Sequence, residues 1–356
     1  MAQACFSWDA LQMPPGTQPK LRHSANLRAR FPGISPPIGN EAVSSVRCRV
    51  SNRAVNNIRG LKILILRAGA LGDLLLTLPV LDEIRSNLPQ SFIEVWGVQP
   101  QASLIQSADR VDRLDALDVA PLFIAGPIPP VLRGRLREFD LAISFLADPG
   151  GVVAQNLVSA GVQRVIKGTP AKEPTIHAVY QLASVLEPLG LSLRDPVPKL
   201  KIDRTQSQKP LLGFHPGSGA SAKNWPLECW NDFLQRIGSK FDRLLLVGGE
   251  ADDEVIGGIQ LSWKGPAFKT AIRRNLWELA RTLSSCSIFV GHDTGVTHLA
   301  AAVQTPTVAL FGPTNPDIWR PLGEHVEIIQ GGEGRMDAIS VTTVLEAVNA
   351  HSGKSP

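Results

Sequence analysis

The sequence predicts an α/β protein of two parallel-sheet domains that face one another across a cleft. Three observations predict it. From residue 61 onward, short apolar runs of strand length alternate with helical stretches, the pattern of βαβ units. The alternation halts at a polar stretch, 193–209, that carries Pro196 and Pro198, and then restarts. Each series opens on a strand that runs into a glycine-bearing loop, and ligands of such sheets sit at the carboxyl ends of the strands.

Residues 1–60 stand apart from this pattern. They are rich in Arg, Ser and Pro, hold no sustained period, and carry eight basic side chains against two acidic ones, a net of +6. Such a composition cannot bury enough apolar surface to fold alone. The segment reads as a disordered leader or targeting segment, either an organelle-type transit peptide or the product of a start codon assigned too early. The sequence pI near 9.0 therefore belongs to the leader. Residues 61–356 hold 28 basic and 30 acidic groups, net −2, which gives no case for nucleic-acid binding.

Cys5, Cys48, Cys229 and Cys286 are widely separated and form no CxxC, so neither a disulfide framework nor a zinc site is expected, and a reducing compartment fits. The most apolar run, 63–81, is interrupted by Arg67, Gly72, Asp73 and Pro79, so no transmembrane segment is expected.

In the first series, strands are expected at 61–66, 92–98, 113–117, 141–145 and 164–166, with helices at 74–88 and 175–189. In the second, strands are expected at 211–215, 243–247, 288–290 and 307–311, with helices at 227–240, 276–284, 295–303 and 341–351. The expected organisation is a leader at 1–60, domains at 61–195 and 210–350 joined by a linker at 196–209, and a tail at 351–356.

Four loops carry chemistry. Gly69-Ala-Leu-Gly72-Asp73 has neither GxGxxG nor P-loop spacing, so no dinucleotide or P-loop cofactor is implied. Asp73 lies where strand becomes helix, where the helix N-terminus favours an ionised carboxylate; it reads either as a helix cap or as a general base. In His215-Pro-Gly-Ser-Gly-Ala-Ser-Ala-Lys223-Asn-Trp-Pro226, small residues permit close backbone approach. Ser218 and Ser221 can donate to phosphate and Lys223 supplies a point charge, although a surface turn with a solvated lysine has the same local sequence. Val247-Gly-Gly-Glu250 ends a strand with a carboxylate suited to ribose hydroxyls. Gly291-His-Asp293-Thr-Gly295-Val-Thr-His298 places Asp293 and Thr294 at a helix start. It leaves the Thr294, Gly295 and Val296 amides open to an anion and puts His298 one turn in; the alternative is a capped helix with His298 in the core.

Together these loops resemble glycosyltransferase family 9, the ADP-heptose:lipopolysaccharide heptosyltransferase family. The resemblance rests on Gly69-Ala-Leu-Gly-Asp-Leu-Leu-Leu-Thr-Leu-Pro79, on His215-Pro-Gly-Ser with Lys223-Asn-Trp-Pro226, and on Val247-Gly-Gly-Glu250. It rests also on Asp293-Thr-Gly-Val-Thr-His-Leu-Ala-Ala-Ala302, continuing to Thr305-Pro-Thr-Val-Ala-Leu-Phe-Gly-Pro-Thr314. It covers about 61–350. His292 and Val296-Thr297 depart from the commoner Asn-Asp-Ser-Gly-Pro-Met-His wording, which leaves the donor sugar open.

The resemblance implies a GT-B architecture, two Rossmann-like domains with a cleft between them, the first binding acceptor and the second donor. It implies an inverting, metal-independent transfer of a sugar, heptose first, from a nucleotide-diphospho-sugar, ADP-heptose first, to a lipopolysaccharide-core-like or lipid-linked glycan. Asp73 would be the base. Lys223, the amides at Thr294–Val296 and His298 would stabilise the leaving diphosphate, Ser218 and Ser221 would hold phosphate or sugar, Glu250 the ribose, and Asp293 the sugar hydroxyls. Arg67, Arg133, Arg135 and Arg137 would meet an anionic acceptor; a solvated helix face is the other reading of the last three. No metal site is expected. The setting is cytoplasmic with peripheral contact at the inner membrane face, or plastid stroma if 1–60 is a transit peptide. A nucleotide-sugar-binding protein without transferase activity and a sugar-nucleotide epimerase on the same fold are the competing readings.

Overall fold

The computed structural model describes residues 60–168, 175–203, 209–238, 240–241 and 243–352, all within one compact unit, 51–356. The expected leader, apart from Gly60, lies outside the described residues, as do 204–208 of the expected linker and 353–356 of the tail.

The first sheet comes from β1 (Lys62–Arg67), β2 (Phe92–Gly97), β3 (Arg110–Arg113), β4 (Leu141–Ser144) and β5 (Arg164–Lys167). All pairs are parallel, in the order β3-β2-β1-β4-β5. Its helices are α1 (Leu71–Asn87), α2 (Pro130–Leu136), α3 (Val152–Ser159) and α4 (Ala178–Leu182). The second sheet comes from β6 (Leu211–His215), β7 (Arg243–Gly248), β8 (Lys269–Ile272), β9 (Ile288–His292), β10 (Thr307–Phe311) and β11 (Val326–Gln330). It is also parallel, ordered β11-β10-β9-β6-β7-β8. Its helices are α5 (Leu227–Ile237), α6 (Asp253–Ser262), α7 (Leu276–Ser284), α8 (Gly295–Ala302), α9 (Pro316–Trp319) and α10 (Val341–Ser352).

The central strands β1, β6, β9 and β10 read as continuous apolar runs because helices cover both faces, and they fall within a residue or two of expectation. The edge strands behave differently. β8 and β11 keep polar, half-exposed faces and show no apolar run, and β3 forms at Arg110–Arg113 rather than at 113–117. Asp109 sets that register by accepting from the Ile93 amide at 2.7 Å.

Helix α1 starts three residues earlier than expected. Ala70 stays extended, the Asp73 carboxylate accepts from its amide, and Gly72 enters the first turn despite its low propensity. Leu74 to Leu81 are all buried, as befits a helix covered on every side. The expected helix at 175–189 is shorter: α4 passes into a 3₁₀ stretch over Ala183–Leu189, where Pro188 removes a donor.

One apolar core runs between the sheets, uniting Ile63, Leu75 and Val95 with Leu279, Phe289 and Leu299, while two others cover the outer faces. Polar links join the two halves: Gln106 pairs with both backbone groups of Lys201, Trp277 Nε1 donates to Ser103 O at 2.9 Å, and His177 bonds Arg320 O at 2.9 Å. Among the described residues no helix is long and apolar enough to cross a membrane.

Candidate active site

The first turns of α1 and α8 meet at the carboxyl edges of the two sheets. Glycine at 295 allows this: a Cβ there would lie 2.7 Å from Leu71 Cβ and 3.1 Å from the Gly72 nitrogen. Beside that contact opens a cleft of about 430 Å³. The first half lines it with Ala70, Gly72, Asp73 and Leu76. The second contributes Gly219, Ala220, Lys223, Asp293, Thr294, Gly295, His298, Thr314 and Trp319.

Asp73 is the third residue of α1 rather than its cap. Its Oδ2 accepts from the Ala70 amide at 3.0 Å, and its carbonyl accepts from Arg67 Nη2 at 2.6 Å and Thr77 Oγ1 at 2.8 Å. Oδ1 stays 3.7 Å from Arg67 Nη2, beyond hydrogen-bond range. Gly69, with φ +119, leaves room for this carboxylate, since a Cβ would lie 2.8 Å from Oδ2. The base candidate is thus held by backbone and keeps one oxygen for chemistry.

Lys223 Nζ lies 2.8 Å from Asp293 Oδ2, so the two donor-side charges expected to act separately are paired. The start of α8 presents amides: its first helical bonds come from Thr297 and His298, both to the Thr294 carbonyl, so the Gly295 and Val296 amides precede the ladder. An anion at this end meets both those donors and the helix dipole.

His298 lines the cleft but is buried, and burial pushes its pKa down to about 4 against the opposing pull of Asp293 and Asp73. Burial thus keeps the ring neutral near pH 7. Its Nδ1 has no partner among the described residues.

Other expected residues lie outside the cleft lining. The Ser218 hydroxyl is buried and engaged with Ala220 O and Asn224 Oδ1, each at 2.6 Å, so it shapes the loop and leaves Gly219 and Ala220 to face the cleft. Ser221 and Glu250 are exposed and outside the cleft lining, and the Val296 side chain packs on the inter-sheet core. The arginine set does not act together. Arg135 pairs with Glu94 and Asp112 and stacks 4.3 Å from the Trp96 ring centroid, while exposed Arg133 and Arg137 lie outside the cleft lining. Arg67 is buried over the Phe145 ring and supports Asp73 from beneath; burial lowers its pKa, with Asp73 acting in the opposite sense.

Sequence reasoning missed three buried groups behind the cleft. His292 Nε2 accepts from the Trp225 amide at 2.9 Å, so Nδ1 carries the proton and donates to Gly217 O at 3.1 Å. Burial holds this ring neutral, its pKa down at about 3. The departure at 292 therefore ties the loop after β6 to β9. His215 and Asp252 form a buried pair at 3.0 Å. The available signals were His215 at a strand end and a second carboxylate two residues beyond Glu250. Among the described residues no cluster of His, Cys, Asp and Glu suits a metal ion.

The sequence model of glycosyltransferase family 9 (heptosyltransferase) matches residues 163–348. Lipopolysaccharide heptosyltransferase 2 of Salmonella typhimurium is 29% identical over 129 residues, 35% of this chain and 37% of that enzyme's length. Lipopolysaccharide heptosyltransferase 1 of the same organism is 23% identical over 320 residues, 81% of this chain and all of that enzyme. The solved structure of Escherichia coli ADP-heptose lipopolysaccharide heptosyltransferase II superposes with a TM-score of 0.67 at 20% identity, covering 82% of this chain and 98% of that one. The architecture is GT-B, as the sequence led us to expect.

Proposed function

Since this chain belongs to glycosyltransferase family 9, the heptosyltransferase family, we propose that it moves a sugar, heptose first, from a nucleoside-diphosphate donor to a hydroxyl of a lipopolysaccharide-core-like glycan with inversion. One observation carries the reading. Asp73, with one carboxylate oxygen unbonded, lines the same cleft as Lys223, Asp293 and the start of α8, whose lysine and open amides suit an anion. Asp73 takes the proton of the acceptor hydroxyl, whose oxygen attacks the anomeric carbon on the face opposite the diphosphate. The bond to the diphosphate oxygen breaks as the new one forms, and the released charge is met by Lys223 and the amides of Thr294, Gly295 and Val296. We assign Asp293 to the donor sugar's hydroxyls as well as to Lys223, and Glu250 to the ribose.

Residues 61–195 act as the acceptor side and 210–350 as the donor side. We take ADP as the nucleotide, after the E. coli relative named for ADP-heptose. The acceptor is lipid-linked and met at the cytoplasmic face of the membrane.

The test pairs a donor screen with a transfer assay. A nucleotide at about 100 times its dissociation constant adds about 2.7 kcal/mol of stability, so ADP should raise the melting temperature more than UDP or GDP. Labelled ADP-heptose should then pass its sugar to a core glycan. Donor hydrolysis without transfer, or epimerised donor as product, would replace this reading by one of the competing ones.

A further inference from the structure

We propose that His215, oriented by Asp252, is a positioning residue that holds the Thr294 hydroxyl away from the first amides of α8 and so keeps them open for the donor's phosphates. The inference rests on the reading of α8 as the diphosphate seat. Threonine at a helix cap ordinarily turns its hydroxyl onto the second or third amide of its own helix. Thr294 occupies the cap with extended backbone, φ −143 and ψ 162, yet its side chain makes no such bond. Its Oγ1 lies instead 3.4 Å from His215 Nδ1 and 3.4 Å from Thr297 Oγ1. The Thr297 hydroxyl gives its proton to His292 O at 2.5 Å, so towards Thr294 it can only accept. The Thr294 hydroxyl is drawn back into the protein, and the mouth of α8 stays clear.

The rest of the pair fixes His215. Asp252 Oδ2 lies 3.0 Å from His215 Nε2 and accepts from the Gly249 amide at 2.7 Å. A carboxylate on Nε2 requires the proton there, and this fixes the ring with Nδ1 facing the Thr294 hydroxyl. The hydrogen bond from His215 holds the Asp252 carboxyl below the usual carboxylate range, so the orienting charge is retained. The loop is built around this arrangement, since a Cβ at Gly217 would overlap the Asp252 carboxylate.

The test is a four-member cycle in the full chain, with ADP affinity read by titration calorimetry: wild type, His215→Ala, Thr294→Ala and the double variant. With His215 removed, the Thr294 hydroxyl turns to cap its own helix and competes with phosphate, weakening ADP about five- to tenfold. In the Thr294→Ala background the same substitution has no further effect, because no hydroxyl remains to close the helix end. An equal loss in both backgrounds marks His215 as merely structural and overturns the proposal, as does wild-type affinity in His215→Ala. If His215→Ala does not fold, Asp252→Asn is expected to show the same dependence on Thr294. A wild-type chain that binds no nucleoside diphosphate defeats the donor reading and this inference with it, whereas failure confined to the cycle leaves the proposed function standing.

Discussion

The Lys223 ammonium lies 2.8 Å from the Asp293 carboxylate, a bond that joins the loop after β6 to the start of α8 across the floor of the cleft. The carboxylate side chain is only 10% exposed, the lysine 33%, so the lysine is the more accessible partner. Lys223→Met leaves Asp293 unpaired next to the incoming phosphates. Transfer measured as kcat/KM should fall about 10²-fold or more, in the range seen when a single stabilising donor is lost. The melting temperature should fall as well, because a carboxylate only 10% exposed loses its partner. Unchanged kcat/KM would remove Lys223 from the reaction.

Asp73→Asn keeps the shape of the side chain and an oxygen for the Ala70 amide, so the first turn of α1 should survive. What it loses is the ability to take a proton. Turnover should drop about 10²- to 10⁴-fold while calorimetry gives wild-type ADP affinity. Full transfer activity would show that another group serves as base.

Gly295→Ala tests the contact between the two helix starts. The added Cβ meets Leu71 Cβ and the Gly72 nitrogen, the latter fixed in the backbone, so α1 and α8 must part. Denaturant unfolding should show a loss of about 1–3 kcal/mol, and activity should fall with the altered spacing of Asp73 and the anion seat. Wild-type stability would mean that the helices do not approach so closely.

Acid should destabilise the protein through its buried histidines. His298 and His292 are pushed from an ordinary value of 6.5 to about 4 and about 3. Below about 6.5 the unfolded chain binds protons that the native state refuses, so stability is fully present above that pH and falls towards pH 4. Each group accounts for a loss on the order of a few kcal/mol. The melting temperature should be level above pH 7 and decline below pH 6, and His298→Gln should flatten part of that decline. A flat profile down to pH 4.5 would contradict the burial of both rings.

The sequence alone determined the alternation of strand and helix, the parallel sheets and the four loops. Central strands and glycine turns are local features whose apolar runs and residue types do not depend on distant partners. The cleft-lining Asp73 and Asp293 were legible for the same reason, each following a strand and lying in or just before the first turn of a helix, and Lys223 as the one cation of the loop after β6. Only the tertiary structure decided which groups remain available. It engaged Ser218 in its own loop, sent Arg135 to Glu94 and Asp112, buried Arg67 beneath Asp73, and joined Lys223 to Asp293 over 70 residues of chain. It also assembled Asp252, His215 and Thr294 from β6, α8 and the turn after β7. A side chain's partner and its burial depend on contacts distant in sequence, and those contacts decide whether a charge or hydroxyl shapes the protein or meets a ligand.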